Sequence, residues 1–240
     1  EGVAPKPVYL LTEDGKAELV DASEIWGKNT SETTRILREK HGEKFNVACI
    51  GIAGENLVKY AAIMNDCDEE NWGRAAGRCG VGAVMGSKNL KAIAVSGKVK
   101  PSIADKAAFD ETIKKIRDDQ KENPSVVGMQ MNGTAGLISV VNAMGALPTR
   151  NFQTGTFEGA EDISGSTITE KNRVKGFACA SCPVGCSLIA EIKSGDYKGT
   201  QSEGPEYESA VMLGSNLGIA DLDTIIAANY LCDEYGLDTI

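Results

Sequence analysis

Apolar and polar residues alternate in short runs over the first hundred positions, and helical periodicity takes over after them. Residues 7–11 read as a strand, Glu13-Asp-Gly-Lys16 as a turn, and 17–20 as the returning arm of a hairpin. Residues 31–41 carry a helical pattern: Ile36 and Leu37 face inward, Arg35, Arg38 and Lys40 face water, and Gly42 stands ready to cap the end. Residues 46–50 form a buried strand in which Cys49 is a core residue, 57–64 read as a third strand, and 90–95 as another. A linker over 96–104, with Pro101, separates this half from the next. Residues 105–123 then form an amphipathic helix with Ala108, Phe109, Ile113 and Ile116 on one face, and 135–144 a more buried one. Residues 147–165 are irregular around an ordered loop, Asn151-Phe-Gln-Thr-Gly155. The apolar run 188–192 leads to a Ser194-Gly195-Asp196 turn, and two helices follow, near 205–213 and 222–235. The pattern predicts an α+β protein: a strand-rich domain over residues 1–98, then a mainly helical domain over 99–240.

Composition narrows the partners. A formal net charge of −9 argues against nucleic acid or an anionic membrane. No run reaches the roughly 18 apolar residues of a membrane span, and no charged-then-apolar secretory leader opens the chain. Seven cysteines, an odd number with three of them clustered, suit a reducing, cytoplasmic compartment better than a disulfide scaffold. The chain opens on Glu1 just before a strand and stops at Ile240 just after a helix, so it is expected to be an internal piece of a longer polypeptide.

Two stretches carry chemistry. In Cys179-Ala-Ser-Cys182-Pro-Val-Gly-Cys186 the gaps let three sulfurs converge from one turn of backbone, and with no His nearby they suit a soft, thiolate-bound metal or cluster. A reduced structural knuckle, or a disulfide plus one thiol, is the plainer alternative. In Gly73-Arg74-Ala75-Ala76-Gly77-Arg78-Cys79-Gly80-Val81-Gly82 the glycines allow close backbone approach, and two arginines four apart can face one anion. This is neither a dinucleotide fingerprint nor a Walker A loop, and a tight structural turn explains it equally well.

The segment Arg74-Ala-Ala-Gly-Arg78, continued to Val95, resembles the tungsten-containing aldehyde ferredoxin oxidoreductase family. Further blocks agree in the same order: Asp21-Ala-Ser-Glu-Ile-Trp-Gly27, Ala53-Gly-Glu-Asn-Leu-Val58, Ala61-Ala-Ile-Met-Asn-Asp66, Asn151–Gly155, the cysteine stretch, Glu203-Gly-Pro-Glu-Tyr-Glu208 and Asp233-Glu-Tyr-Gly-Leu-Asp238. The resemblance spans nearly the whole chain. It implies a β-sheet domain that cradles tungsten, or in some members molybdenum, held by the dithiolenes of two pyranopterins, followed by a helical domain with a [4Fe–4S] cluster. The implied reaction oxidises a small aldehyde to a carboxylate with water as oxygen source and passes electrons to ferredoxin or another electron carrier.

By the same resemblance, Cys179, Cys182 and Cys186 are three cluster ligands, the fourth lying beyond Ile240. Arg74, Ala75, Gly77 and Arg78 grip the pterin phosphates, a carbonyl such as that of Ala75 helping to hold a bridging magnesium. Asp233, Leu237 and Asp238 meet one pterin, and Glu208 is the candidate acid or base. Each role suits its side chain: guanidinium forks bind phosphate oxygens, and carboxylates accept from ring N–H groups. A glutamate can take a proton from water or a gem-diol where burial raises its pKa. Without the resemblance, the two aspartates read as a solvated helix end and Glu208 as a helix-face charge. The sequence also departs from the family. The acidic loop before Arg74 is longer, Cys79 replaces a usual glycine, and Ala227-Ala-Asn-Tyr230 stands where some relatives carry a Glu-x-x-His that bridges two subunits through a metal, so a homodimer built that way is not supported. Two alternatives remain: a non-catalytic iron–sulfur or zinc module on this scaffold, and a family member acting reductively on an acid or thioester.

Overall fold

A computed structural model of the chain describes residues 2–67 and 73–240. Most of the acidic loop expected before Arg74 lies outside the described residues. The chain forms two compact units, one comprising Glu1–Lys100 with Leu231–Thr239, the other Pro101–Tyr230 with Ile240.

The first unit is built on a sheet. Strand β1 (Val8–Glu13) turns through Asp14 and Gly15, both at positive φ, into β2 (Lys16–Asp21). Helix α1 (Thr30–His41) starts at Asn29, whose side chain accepts from the Glu32 N–H at 3.0 Å, and ends where the Gly42 N–H donates to the Arg38 carbonyl. Then follow β3 (Asn46–Ile50), the short α2 (Ile52–Glu55), β4 (Ile63–Asn65), β5 (Arg74–Ala76), α3 (Val81–Gly86) and β6 (Leu90–Ser96). Six strands lie in the order β2-β1-β6-β3-β4-β5, parallel at β1–β6 and antiparallel elsewhere, which leaves β5 at an edge. Tyr9, Leu37, Phe45, Val47, Cys49 and Ala92 fill the core between sheet and α1.

Two expectations change here. Residues 57–64 are not a continuous strand: Leu57 turns at φ 56°, and the strand proper is Ile63–Asn65. Arg38 does not face water. Its Nε donates to the Phe45 carbonyl at 3.1 Å and its Nη2 to Asp66 at 2.7 Å, while Asp66 also accepts from the Val47 N–H at 2.8 Å. A second buried charge, Lys91, is 0 % exposed and pairs with Glu55 while donating to the Lys28 carbonyl at 2.7 Å. Glu55 in turn accepts from the Gly27 N–H at 2.9 and 3.0 Å, so both charges are compensated without water.

The second unit opens with α4 (Lys106–Lys121), capped by Asp105, and α5 (Pro124–Asn132), capped by Asn123 with Pro124 in its first turn. Neither helix buries a residue. The expected inward face of α4 is largely uncovered, with Phe109 47 % and Ile116 42 % exposed. Then come α6 (Leu137–Ala143), α7 (Gly165–Lys171), strands β7 (Arg173–Phe177), β8 (Ser187–Glu191) and β9 (Gln201–Glu203), and helices α8 (Tyr207–Leu213) and α9 (Leu222–Tyr235). The strands form an antiparallel sheet in the order β7-β8-β9, so this half is helical with a small sheet of its own. Ile138, Leu147, Ile163, Ile168, Leu188 and Ile225 pack in its core. The α+β class holds. Among the described residues no helix is long and apolar enough to cross a membrane.

Candidate cofactor corner and cysteine loop

In the first unit the candidate phosphate grip begins on the edge strand β5, where Arg74 pairs with Asn65 and Ala75 with Met64. The Asn65 side chain donates to the Arg74 carbonyl at 2.8 Å. After Gly77 the chain turns sharply: Cys79 holds φ 75°, a left-handed conformation that glycine adopts without strain. The glycines of this run divide by role. A Cβ on Gly80 would lie 2.1 Å from the Lys59 carbonyl oxygen and one on Gly82 2.4 Å from that of Ala62, so these two are bare because backbone passes against backbone. A Cβ on Gly77 would meet only Asp238 and Ala75 atoms, at 3.7 and 3.9 Å, which leaves that backbone accessible beside a carboxylate.

That carboxylate arrives from far along the chain. Residues 233–238 run alongside residues 60–62. The Ala62 N–H donates to the Gly236 carbonyl at 2.8 Å, the Asp238 N–H donates to the Tyr60 carbonyl at 3.0 Å, and Ala61 and Leu237 form an antiparallel bridge. Asp238 thereby reaches Arg78, Oδ2 to Nε at 3.4 Å, with the Asp238 side chain mostly buried and that of Arg78 half-exposed. The Asp233 carbonyl accepts from the Thr30 hydroxyl at 2.7 Å, and Leu237 is half-buried. The Arg78 guanidinium, the Asp238 carboxylate and the Gly77 backbone together suit a ligand with a phosphate arm and a hydrogen-bonding ring.

The thiols of the first unit behave differently. Burial, with the Asp233 charge adding to it, pushes Cys67 up to about 12. Burial, then Asp233 and Asp238, pushes Cys232 up to about 11. As free thiols both stay protonated at neutral pH.

In the second unit the three clustered cysteines share one loop. Strands β7 and β8 close on the pair Phe177 and Ser187, and residues 178–186 between them carry Cys179, Cys182 and Cys186. Ser181 at φ 60° and Gly185 at φ 58° bend the loop, and the Cys182 N–H donates to the Cys179 carbonyl at 3.0 Å. Cys179 and Cys182 are exposed, Cys186 is half-buried, and none of the seven cysteines is in a disulfide. Among the described residues no three His, Cys, Asp or Glu side chains are set to hold a metal ion. The donor set is nonetheless all thiol, on one short loop pinned at both ends, which fits an iron–sulfur cluster in ligand chemistry. The Ser187 hydroxyl at the base of this hairpin donates to Glu206 at 3.2 Å. Two residues on, Glu208 sits in the first turn of α8 and is exposed. Sequence reasoning passed over Thr30, Ser31 and Gly51, which anchor residues 233–236; nothing in their local sequence marks them.

Known proteins resemble the chain along most of its length. The family described as "Aldehyde ferredoxin oxidoreductase, N-terminal domain" matches residues 1–97, and "Aldehyde ferredoxin oxidoreductase, domains 2 & 3" matches residues 111–240. The "Tungsten-containing aldehyde ferredoxin oxidoreductase" of Thermococcus kodakarensis is 49 % identical over 245 residues, and that of Pyrococcus horikoshii 49 % identical over 242. Each comparison takes in 100 % of this chain and 38 % of the relative, so the chain spans well under half the length of either. Among solved structures, the "Active site complex BamBC of Benzoyl Coenzyme A reductase in complex with 1,5 Dienoyl-CoA" superposes with a TM-score of 0.74 at 26 % identity, covering 100 % of this chain and 37 % of that one. With both halves of the chain matched in order, the chain belongs to the aldehyde ferredoxin oxidoreductase family.

Proposed function

We propose that this chain forms part of an oxidoreductase that converts aldehydes to carboxylic acids at a tungsten, or molybdenum, bis-pyranopterin centre and delivers the electrons to ferredoxin or another electron-carrier protein in the cytoplasm. The observation that carries the reading is the corner at which Arg78, the Gly77 backbone and Asp238 meet. Arg74, Ala75, Gly77 and Arg78 hold the pterin phosphates with their magnesium, and Asp233, Leu237 and Asp238 hold the pterin ring. Cys179, Cys182 and Cys186 hold the [4Fe–4S] cluster, whose fourth ligand comes from elsewhere. Bound there, a tungsten centre would supply the two-electron redox chemistry and a cluster held by the three cysteines a route for single electrons. Oxidation of the aldehyde hydrate to the acid releases two protons with its electron pair; Glu208 would accept one of them and solvent water the other.

A second reading keeps the cofactors and reverses the chemistry, reducing an acid or thioester. The structural likeness to a benzoyl-coenzyme A reductase supports it. Metal analysis and electron paramagnetic resonance of the anaerobically prepared full-length protein, followed by steady-state assays with aldehydes and acyl thioesters against a low-potential viologen dye, separate the readings. Tungsten with iron and aldehyde-dependent dye reduction is the expected result. A zinc-only protein with neither iron nor tungsten sinks the enzyme reading. Arg78→Ala is expected to empty the site of tungsten and pterin while iron stays in place.

A further inference from the structure

We infer that Gly51, assisted by Thr30, is a positioning residue for the cofactor: it seats residues 233–238 so that Asp238 meets Arg78. This rests on the assignment of Asp233 and Asp238 to the pterin. Gly51 has an ordinary extended backbone (φ −82°, ψ −170°) that any residue adopts, so its conformation does not require glycine. Its surroundings do. A Cβ there would lie 2.2 Å from the Tyr235 carbonyl oxygen and 2.8 Å from the Gly236 nitrogen. The contact is reciprocal, because a Cβ on Gly236, already at φ 70°, would lie 2.8 Å from the Gly51 nitrogen. Two backbones thus cross where neither tolerates a side chain.

The crossing is flanked by fixed points on both sides. Before it, the Thr30 hydroxyl donates to the Asp233 carbonyl at 2.7 Å and the Ser31 hydroxyl to Glu234 at 2.8 Å. After it, the Gly236 carbonyl and the Asp238 N–H pair with Ala62 and Tyr60. A methyl group at position 51 must lift residues 235–236 by about 1 Å to reach ordinary contact. The next side chains along, Leu237 and Asp238, move with them. Displacements of about 1 Å in a positioning contact cost as much as about a hundredfold in function.

The test uses the full-length protein prepared anaerobically, with tungsten, oxidised-pterin fluorescence and iron measured per polypeptide, and hydrogen exchange followed at the peptide containing Asp238. Gly51→Ala is expected to lower tungsten and pterin by at least about tenfold, to hasten exchange at Asp238, and to leave iron unchanged. Thr30→Val removes one hydrogen bond and is expected to lower occupancy about threefold, with Thr30→Ser restoring it. A folded Gly51→Ala protein with full tungsten and pterin, while Arg78→Ala has lost them, overturns the inference and leaves the cofactor assignment standing. If Arg78→Ala also keeps both, the assignment falls and this inference with it. Should Gly51→Ala fail to fold, the Thr30 pair decides: loss in Thr30→Val with recovery in Thr30→Ser supports the seating role, and equal occupancy in all three overturns it.

Discussion

The Arg78–Asp238 corner and the cysteine loop are held in opposite ways. At the corner, backbones pass too close for any side chain, at Gly80, Gly82 and Gly51, and residues 233–238 are locked by hydrogen bonds accepted from Thr30 and Ala62 and donated to the Tyr60 carbonyl. The loop 178–186 is fixed at its ends by the β7–β8 ladder and bent internally by Ser181 and Gly185, with two of its thiols exposed. A rigid corner suits a ligand that must be oriented by many weak polar contacts. A tethered loop suits a ligand whose bonds are strong enough to impose their own geometry, because cluster or metal binding then supplies the ordering free energy.

The largest expected effect tests the loop. In the full-length protein Cys182→Ser removes a thiolate and is expected to abolish stable cluster iron. Iron content equal to wild type would break the contrast outright. Next in size is a test of the corner's rigidity from beneath. Lys91→Met strands Glu55 as a buried uncompensated charge and is expected to cost about 3–5 kcal/mol in denaturant unfolding. A loss below about 1 kcal/mol would show that the pair is hydrated and the first unit looser than described.

The smallest effect is a matter of pH. Burial raises the Glu234 pKa from its ordinary 4.5, with the Glu32 charge adding and the Ser31 hydrogen bond opposing. Across that window the folded protein binds more protons than the unfolded chain, so the contribution is fully present below pH 4.5 and is lost as pH rises through the folded pKa. Glu234→Gln keeps an acceptor for Ser31 and is expected to flatten this slope and slightly raise stability at neutral pH. An unchanged slope in pH-dependent unfolding removes Glu234 from the account.

What was legible in the sequence were features whose causes are local. The β1–β2 hairpin follows from Asp14-Gly15, the α4 start from Asp105, and the α+β order from the change in apolar period. What was not legible depends on partners remote in sequence. Arg38 reads as a solvent-facing helix charge until Asp66, 28 residues on, folds over it. The glycines at 77, 80 and 82 look alike in sequence, yet two are filled by the backbone of residues 59–62 and one is open beside Asp238. Short β7, β9 and α7 lack an apolar period long enough to stand out, and the apolar stripe of α4 implies burial that α4 does not find among the described residues. For the candidate site, the side chains themselves were readable. Their supports at Thr30, Ser31 and Gly51 were not, since a hydroxyl or a bare backbone carries no pattern.

Residues 231–239 belong to the unit whose remainder ends at Lys100. On the ribosome, therefore, residues 1–100 are made well before the segment 231–239 that joins them. The strands β1 to β6 emerge early, but the segment that brings Asp238 to Arg78 waits until residues 101–230 have been synthesised. Until then Gly51 and the Tyr60–Ala62 backbone stand uncovered, an edge that other extended segments can occupy. Any ligand that needs both Arg78 and Asp238 can be taken up only after translation has passed residue 238, which makes loading of this corner a late event in the life of the chain.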